Sequence, residues 1–493
     1  MTAATSLLAV HPTRVRRGAA ALISAALVGL LSLLAGPVAL GVLVAAAVLA
    51  AAAHRPIYAT YAYLLLLPFT AGLGRDTLIP LVRPNELLLA LVLLGAAAGG
   101  YARFLRGAPV RIRLRPLDVP LIGFVLLSTV WPVESMLLRG VPPELADVMA
   151  VAPVAKLVAL LVLVRCTVLS EAQLVRCMRL VLWTAAAVGL VAVLQVLGVQ
   201  PVVSALTSMW ASDAGSLPER GTSTLGSSIA TGDYLIIGLT LLVSGAMRGL
   251  TGRREAVVLG LVLGAGVLAS GQFSTWISLA VVGVVVLRRV PGIRRKAVRM
   301  LPIAAVALVV GAPALLNRLS DFGSGGGLPS SWQGRWDNLV HFYLPELADS
   351  GFLIGISPNS VLRAPETWRE VIYLESGYLH FLWVGGIPLL LGFAWLSVAV
   401  LRATARLRSR GDAVGAFATT LEAAWWAVLV LSVIDIHLVV RGVGDLLFVL
   451  LAIVSARAVR EHRAGHRPVP NAAVRAGRGR RPMRWRGLSS WPT

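Results

Sequence analysis

The sequence predicts an all-α membrane protein, a polytopic bundle of about 12–14 transmembrane helices that carries a long structured extracytoplasmic loop. Of its 493 residues, 57% are hydrophobic and 14% are charged, whereas soluble domains carry about a quarter charged residues. Apolar runs such as "PVALGVLVAAAVLAAAA" and "LPIAAVALVVGAPALL" are dense enough to cross a hydrocarbon core, which takes about 20 helical residues. A membrane β-barrel would instead show alternating polarity.

Fourteen candidate spans follow one another, of which the first two could form a single hairpin. They lie near residues 19–35, 37–53, 57–73, 85–101, 117–136, 148–166, 180–198, 228–247, 256–270, 274–287, 300–315, 374–400, 417–436 and 442–458. The first span follows three arginines and a second span starts almost at once, so we interpret it as an uncleaved signal-anchor.

The distribution of basic residues predicts the topology. If the N-terminus is cytoplasmic, the cytoplasmic segments hold 35 of the 45 lysines and arginines and the outer segments hold nine. This asymmetry is the positive-inside pattern, and it predicts that both termini are cytoplasmic. Almost all the basic residues are arginine. Because a preference for arginine over lysine is associated with bacterial genomes, we expect a protein of the bacterial cytoplasmic membrane.

Three regions follow from this topology. Residues 1–18 form a cytoplasmic segment, residues 19–458 form the transmembrane domain, and residues 459–493 form a basic tail whose composition predicts disorder. The net charge of +22 is mostly charge expected at the inner leaflet, where it attracts anionic membrane lipids. No nucleic-acid partner is expected. Cys166 and Cys177 are predicted to be reduced, unpaired thiols.

Two long outer loops, residues 199–227 and 316–373, are predicted to hold the functional site. Arginine is scarce on this face, and an arginine in a low-dielectric vestibule is costly unless it is paired. A guanidinium group also suits phosphate oxygens, which it can bind through two hydrogen bonds.

Within the second loop, "WDNLVHFYLPEL" at residues 336–347 predicts a short amphipathic helix. Its apolar face would carry Trp336, Leu339, Val340, Tyr343 and Leu347. Pro345 indicates that any such helix is short or is broken near its C-terminal end. Arg335 would lie just before the helix, near the positive end of its dipole, where an anion is favoured.

Three stretches resemble the O-antigen ligase and polysaccharide polymerase family of membrane proteins. They are "GRW…LADSGFLIGISPNS", "ESGYLHFLWVGGIPLLLGF" and "ERGTSTLGSSIATGDYLI". The resemblance covers roughly residues 200–400 by motif and the whole chain by the layout of its spans. In this family a histidine usually opens the helix after the long loop, and here that position is Glu375.

The resemblance implies a GT-C-like glycosyltransferase that needs neither metal nor cofactor. Such an enzyme moves a glycan from a polyprenyl-diphosphate carrier to the hydroxyl of a glycan or lipid acceptor on the outer face. The family's outer arginines are thought to hold the diphosphate, and by motif they correspond to Arg220 and Arg335. Polymerase and ligase activities both remain open.

The residues agree with that chemistry independently of the resemblance. A diphosphate leaving group needs cations or a metal, and the chain has no Asp-x-Asp pair and no lysine after a glycine, so arginines are the expected cations. The acceptor hydroxyl needs a base. Glu375 is the candidate, with His380, His437 and Asp435 as competitors near the same face.

Structural roles are the alternatives at several positions. Arg220 and Arg335 could pair with Glu219 and Asp337, and Glu375 could stabilise a helix N-terminus. Trp332 is a candidate sugar contact that also fits an interfacial aromatic belt. Arg441, with Asp435 and His437, could form a vestibule wall that binds substrate or a local ion network. Lys156 lies within a span and could be functional or structural.

A transporter or flippase of lipid-linked glycans is the alternative function. Fourteen spans suit that class, but transporters tend to contain internal repeats and polar residues at the bilayer midplane. No repeat between the two halves is evident in the sequence, and the long outer loop favours chemistry on the outer face.

Overall fold

The structure is a computed structural model of the chain. It describes residues 41–74, 82–107, 114–210, 220–290, 292–295, 298, 330–349, 352–364 and 370–464. The predicted segment 1–18, the predicted spans 19–35 and 300–315, and most of the predicted tail lie outside the described residues.

Fifteen α-helices are found in the described part of the chain, in agreement with the predicted all-α class. They are α1 Gly41–His54, α2 Ile57–Thr70, α3 Pro84–Leu105, α4 Asp118–Leu138, α5 Leu145–Thr167, α6 Glu171–Val196, α7 Gln200–Met209, α8 Ser228–Met247, α9 Arg253–Ser270, α10 Phe273–Arg289, α11 Ser330–Asn338, α12 Leu344–Asp349, α13 Gly377–Leu407, α14 Ala413–Leu431 and α15 Val443–Ala464. Every predicted span within the described residues coincides with one of these helices.

Seven described helices are long and apolar enough to cross a bilayer, namely α3, α4, α5, α6, α8, α13 and α14. The chain is therefore a multi-pass helical membrane protein. Helices α9 and α10 also lie at predicted spans, but α9 begins with Arg253, Arg254 and Glu255, and α10 has only 17 residues.

Small residues allow the central helices to pack closely. A Cβ atom on Gly266 of α9 would lie 2.6 Å from the Cα of Gly189 on α6, and one on Gly238 of α8 would lie 2.9 Å from the Cβ of Ala185. Close backbone approach at small residues is a common way for helices to associate in membranes, where lipid removes the hydrophobic driving force.

The helix termini gather at two ends of the bundle. We call one the loop end. Its described segments are residues 71–74, 82–84, 139–145, 197–210, 220–228, 270–273, 330–349, 352–364, 370–376 and 432–442. The other is the arginine end, where Arg248 donates hydrogen bonds to the carbonyls of Arg408 and Arg410, and where Arg289 and Arg408 pair with Glu422. These ends correspond to the predicted outer and cytoplasmic faces, respectively.

The amphipathic segment at the loop end differs from its prediction in two respects. Arg335 lies in the last turn of α11 and not before a helix, so the expected dipole effect at an N-terminus does not apply. Pro345 does not break the helix, since it lies in the first turn of α12, where no backbone N–H is required. The irregularity is a π-helix at Leu339–Tyr343 that precedes it.

A two-stranded antiparallel hairpin, which the sequence did not predict, follows this segment. It pairs β1 Val361–Ala364 with β2 Glu370–Tyr373. The buried Tyr343 hydroxyl lies 2.8 Å from both the Ser360 and the Ile372 carbonyl oxygens. Its ring meets Trp383 of α13 edge to face, with centroids 5.2 Å apart. One side chain thus joins the π-helix, the hairpin and the bundle.

Residues 352–357 dock against a kink in α13. Gly386 has φ +65° there, and its carbonyl-side neighbour Ile387 donates its N–H to the Leu353 carbonyl. A Cβ atom on Gly386 would lie 2.4 Å from that same carbonyl oxygen. Ile356 in turn donates its N–H to the Trp383 carbonyl at 2.6 Å. The positive φ and the close contact both require glycine.

Candidate functional site

The candidate site centres on Arg335, whose side chain joins three parts of the loop end. Its Nε lies 2.9 Å from Glu375 Oε2 and its Nη2 lies 3.7 Å from Asp435 Oδ2. Its Nη1 donates to the Ile434 carbonyl at 3.2 Å. The predicted cation therefore contacts the predicted base directly. Among the described residues, Arg335 forms ion pairs with Glu375 and Asp435, and not with the suggested Asp337.

The close approach of two backbone segments brings Glu375 near Asp435. Gly377 and Tyr378, at the start of α13, both donate their N–H groups to the Ser432 carbonyl, at 2.8 and 3.2 Å. A Cβ atom on Gly377 would lie 3.0 Å from the Asp435 carbonyl oxygen. The "ESGY" sequence thus fixes the start of α13 against the 432–442 loop, and Glu375 emerges beside that loop.

A pocket of about 350 Å³ lies over this ion pair. Its walls include Arg335 and Glu375 together with two aromatic side chains, Trp336 and Tyr373, which are each 63% exposed. The Arg335 and Glu375 side chains are each 31% exposed, so a ligand in the pocket can reach both. The remaining lining is mostly apolar, so the pocket combines apolar and aromatic walls with one charged pair, a composition typical of ligand sites.

The loop that carries Asp435 is longer than predicted. Helix α14 ends at Leu431 and α15 begins at Val443, whereas the sequence predicted spans that reach 436 and resume at 442. The loop also enters the protein interior, since His437 and Leu438 are each 1% exposed. Its backbone polar groups are bonded at both ends, with Asp435 N–H donating to Leu431 and Gly444 N–H to Val440.

His437 lies beneath the pocket and forms a buried pair with Asp233 of α8. Their Nδ1 and Oδ2 atoms are 2.6 Å apart, and the side chains are 1% and 7% exposed. Burial lowers the pKa of His437, but the Asp233 and Asp435 carboxylates outweigh it, so the pKa lies above the ordinary value. Arg335 opposes that rise, which places all four charged groups in one electrostatic environment.

Arg441 lies within the same loop, and Arg220 precedes a turn that packs against it. Neither arginine is among the described residues that line the 350 Å³ pocket. The Arg220 carbonyl accepts a hydrogen bond from Gln195 Nε2 at 3.1 Å, which holds the following 3₁₀ turn, Ser223–Leu225, against α6. A Cβ atom on Gly442 would lie 2.8 Å from Leu225 Cδ2. The 432–442 loop thus connects the Arg220 turn with Arg335.

Two other predicted residues are placed differently. His380 lies in the first turn of α13, where its N–H donates to the Ser376 carbonyl and its ring approaches Phe381. It is not among the described residues that line the pocket. Trp332 lies in α11, and its side chain is outside the described residues.

Lys156 forms a second ionic cluster inside the bundle. Its Nζ lies 2.8 Å from Asp445 Oδ1 of α15, and the Tyr63 hydroxyl of α2 donates to the same oxygen at 2.6 Å. The Gly442 N–H also approaches Asp445, at 3.2 Å from Oδ2. Lys156 therefore has the structural pairing that the sequence left open. Its partner Asp445, and Tyr63, which bonds to Asp445, both lie on other helices.

Several residues of these clusters were not singled out from the sequence. Asp233 and Asp445 each stand as an acidic residue within a predicted span, a signal that could have identified them. The sequence predicts Trp336 on the apolar face of an amphipathic helix and does not single out Tyr373. Their exposure depends on the π-helix and on the hairpin, neither of which leaves a local sequence signal.

The arrangement is suited to acid–base and anion-binding chemistry. Two carboxylates face Arg335, so the three groups together carry a formal charge of −1 in their ionised forms. An anionic ligand must therefore take over Arg335 from the carboxylates, and doing so releases a carboxylate beside the bound ligand. Among the described residues no group of three metal-ligating side chains is found.

A scan against protein-family models found no match, and a search of curated proteins found none either.

Proposed function

We propose that the protein is a glycosyltransferase that moves a glycan from a polyprenyl-diphosphate carrier to an acceptor hydroxyl at the loop end of the bundle. The observation that carries this proposal is the Arg335–Glu375 pair on the wall of a 350 Å³ pocket at the junction of the bundle and the loop segment. The motifs that resemble O-antigen ligases and polysaccharide polymerases support it, because all three contribute residues to this region.

In the proposed reaction Arg335 binds the donor diphosphate. A planar, permanently charged guanidinium can bind two phosphate oxygens and stabilise the charge that develops as the glycosidic bond breaks. Arg220 and Arg441, attached to the same 432–442 loop, supply further positive charge along the donor. The apolar walls of the bundle would accommodate the polyprenyl chain.

Glu375 is the proposed general base. When phosphate oxygens replace it at Arg335, its carboxylate becomes available to accept the proton of the acceptor hydroxyl. The oxygen of that hydroxyl then attacks the anomeric carbon, and the diphosphate leaves with the bonding electron pair. Donor binding and base activation are thus coupled through one guanidinium.

The test is a transfer assay with purified protein, a polyprenyl-diphosphate glycan and an acceptor glycan. Arg335→Ala should reduce turnover by about 30- to 1000-fold, which corresponds to roughly 2–4 kcal/mol of transition-state stabilisation. Arg335→Lys should retain part of the activity because it keeps the charge but loses the second hydrogen bond. Glu375→Gln should also reduce turnover, and activity should survive EDTA.

Two variants serve as controls. Arg253→Ala removes an exposed arginine at the opposite end of the bundle, and Glu346→Gln changes an exposed carboxylate of the same loop segment outside the pocket. Both should behave like the wild type. Transfer that is unaffected by Arg335→Ala and Glu375→Gln, with the proteins present in the membrane at normal amounts, would show that the proposal is wrong.

The buried ionic clusters favour a second candidate, a transporter of lipid-linked glycans. Ionisable groups inside a bundle commonly mark substrate or proton pathways, and the Lys156–Asp445 and His437–Asp233 pairs are two such groups. Proteoliposomes distinguish the candidates. A transporter moves the labelled donor between leaflets without acceptor, whereas the proposed enzyme lengthens or transfers the glycan without moving the carrier.

A further inference from the structure

The Asp233–His437 pair is positioned where it can control the candidate site without contacting a ligand. His437 is 1% exposed and does not line the 350 Å³ pocket among the described residues. It is, however, only two residues from Asp435, which approaches Arg335. The pair therefore lies one step behind the residues that face the pocket.

The surroundings of the pair are mostly apolar. Among the described residues, three charged groups interact with His437: Asp233 from α8, Asp435 from its own loop and Arg335 from α11. The other elements that pack around it contribute hydroxyl and aliphatic groups, as in Thr240 of α8 and Ser278 of α10. These residues border a cavity of about 20 Å³, room for about one water molecule.

Each side chain of the pair has one further polar atom that the described residues leave without a hydrogen bond, Oδ1 of Asp233 and Nε2 of His437. Buried polar groups are nearly always satisfied, and the cavity of about 20 Å³ that both residues border has room for a partner. A neutral histidine would gain less from Asp233, because it could still donate Nδ1–H to the carboxylate but would lose the Coulomb attraction between two opposite charges in a low-dielectric site.

Backbone contacts transmit the position of His437 to the pocket. The chain from 432 to 437 is held at Ser432 by the N–H groups that open α13 and at Ile434 by Arg335. His437 anchors its far end to α8 through Asp233. The Ile434 carbonyl and the Asp435 carboxylate, two of the groups that hold Arg335, lie between these anchors.

We propose that Asp233 and His437 are positioning residues, a buried ion pair that fixes the 432–437 strap and thereby holds Asp435 and Arg335 in place. The pair assembles the site while His437 is protonated and releases the strap when His437 loses its proton. Only the effect on catalysis rests on the proposed function. The strap and its anchors are features of the structure and do not depend on it.

The sign of the pH dependence follows from the charged groups. Because the pKa of His437 is raised in the folded protein, the imidazolium and its pairing with Asp233 are fully present below the ordinary histidine pKa. They are lost as the pH rises through the higher folded value. The strap should therefore be ordered at acidic and neutral pH and become looser as the pH rises further.

Hydrogen exchange of the full-length protein in lipid nanodiscs, followed by mass spectrometry, tests this directly. Peptides covering 432–442 should be protected at low pH and lose protection as the pH rises above the ordinary histidine pKa, after correction for intrinsic exchange. His437→Gln and Asp233→Asn, which keep the shapes but cannot form the ion pair, should show exchange about tenfold faster at pH 6 and no pH transition.

His341→Gln is the matched control. His341 is an exposed histidine of the same loop region, and its replacement should leave the transition unchanged. A wild-type strap with constant protection as the pH rises, or a transition that survives in His437→Gln, would overturn the proposal. The wild-type measurement decides the matter even if both variants fail to fold.

The outcome is separable from that of the proposed function. A strap transition in a protein without transfer activity would refute the glycosyltransferase and leave the positioning pair intact. Transfer activity with a strap that does not respond to pH would do the reverse. If both hold, the turnover number should fall with rising pH through the same midpoint as the strap protection, and His437→Gln should abolish that shared midpoint.

Discussion

Arg335 is neutralised in the structure, and this shapes how it could act. With Glu375 at 2.9 Å and Asp435 at 3.7 Å, it is not a vacant cationic site for a phosphate. An anionic donor must compete with two carboxylates, a cost that the partial exposure of all three side chains reduces by screening. On the proposed function this competition is useful, because a base that is released only by donor binding acts only when the donor is present.

The exposed aromatic residues of the pocket provide a separate prediction. We expect Trp336→Ala and Tyr373→Ala to raise the KM for the glycan about fivefold, with little change in kcat. The loss of roughly 1 kcal/mol of apolar contact to a sugar ring affects ground and transition states alike. Steady-state transfer kinetics with donors of different glycan length would measure it.

Trp183→Ala is the comparison for those variants. Trp183 is 56% exposed but lines a different groove, beside α1 and α2, and its removal should leave KM unchanged. Equal effects at all three positions would mean that Trp336 and Tyr373 contribute to general stability and not to glycan contact.

The Lys156–Asp445 pair gives a prediction about stability. Lys156→Met leaves Asp445, which is 1% exposed, without its cation and should lower the free energy of unfolding by about 3–5 kcal/mol. The double variant Lys156→Met, Asp445→Leu should be less destabilised than that single variant, because neither charge remains buried. Unfolding in detergent, compared with Arg253→Met as an exposed control, would reveal whether the pair is coupled.

At the scale of elements, the sequence predicted helices well and the loop segment poorly. Helices such as α8 and α13 follow from apolar runs long enough to cross a bilayer, a property of the local sequence. The π-helix at Leu339–Tyr343 depends on where the Tyr343 hydroxyl meets Ser360 and Ile372, contacts that arise only in the folded chain. For the same reason Arg335 and Glu375 could be predicted as site residues, but their ion pair could not.

The kink of α13 offers a test of how the loop segment is held. Gly386→Ala would place a Cβ atom 2.4 Å from the Leu353 carbonyl at a residue with φ +65°, so the 352–357 turn should detach from α13. Limited proteolysis should then cleave within 352–364 faster than in the wild type, and transfer activity should fall. Gly264→Ala is the control, since a Cβ atom there meets no other atom within 4 Å.

At the scale of the whole molecule, charge and structure divide the chain in the same way. Arg248, Arg289 and Arg408 bond to groups at the arginine end, and the groups that bind Arg335 lie at the loop end. The topology predicted by the positive-inside rule depends only on residue counts and helix order. The folded bundle independently places the predicted outer loops at one end and the predicted cytoplasmic loops at the other. Which of the two ends faces the cytoplasm stays a prediction.

Cysteine labelling tests that sidedness with residues the structure describes as exposed. In a Cys166→Ser background, Ser208→Cys at the loop end should react with a membrane-impermeant maleimide in intact cells. Ser409→Cys at the arginine end should react only after permeabilisation. In the unsubstituted protein, the native Cys166, which is also exposed, should do the same. Cys177 is buried, and its burial should keep it unreactive at both stages.

The reverse pattern would place the Arg335 pocket in the cytoplasm, where a reaction restricted to the outer face could not take place. Labelling at both positions from outside would instead mean that the chain crosses the membrane an even number of times between residues 208 and 409, and not the odd number that the predicted topology requires.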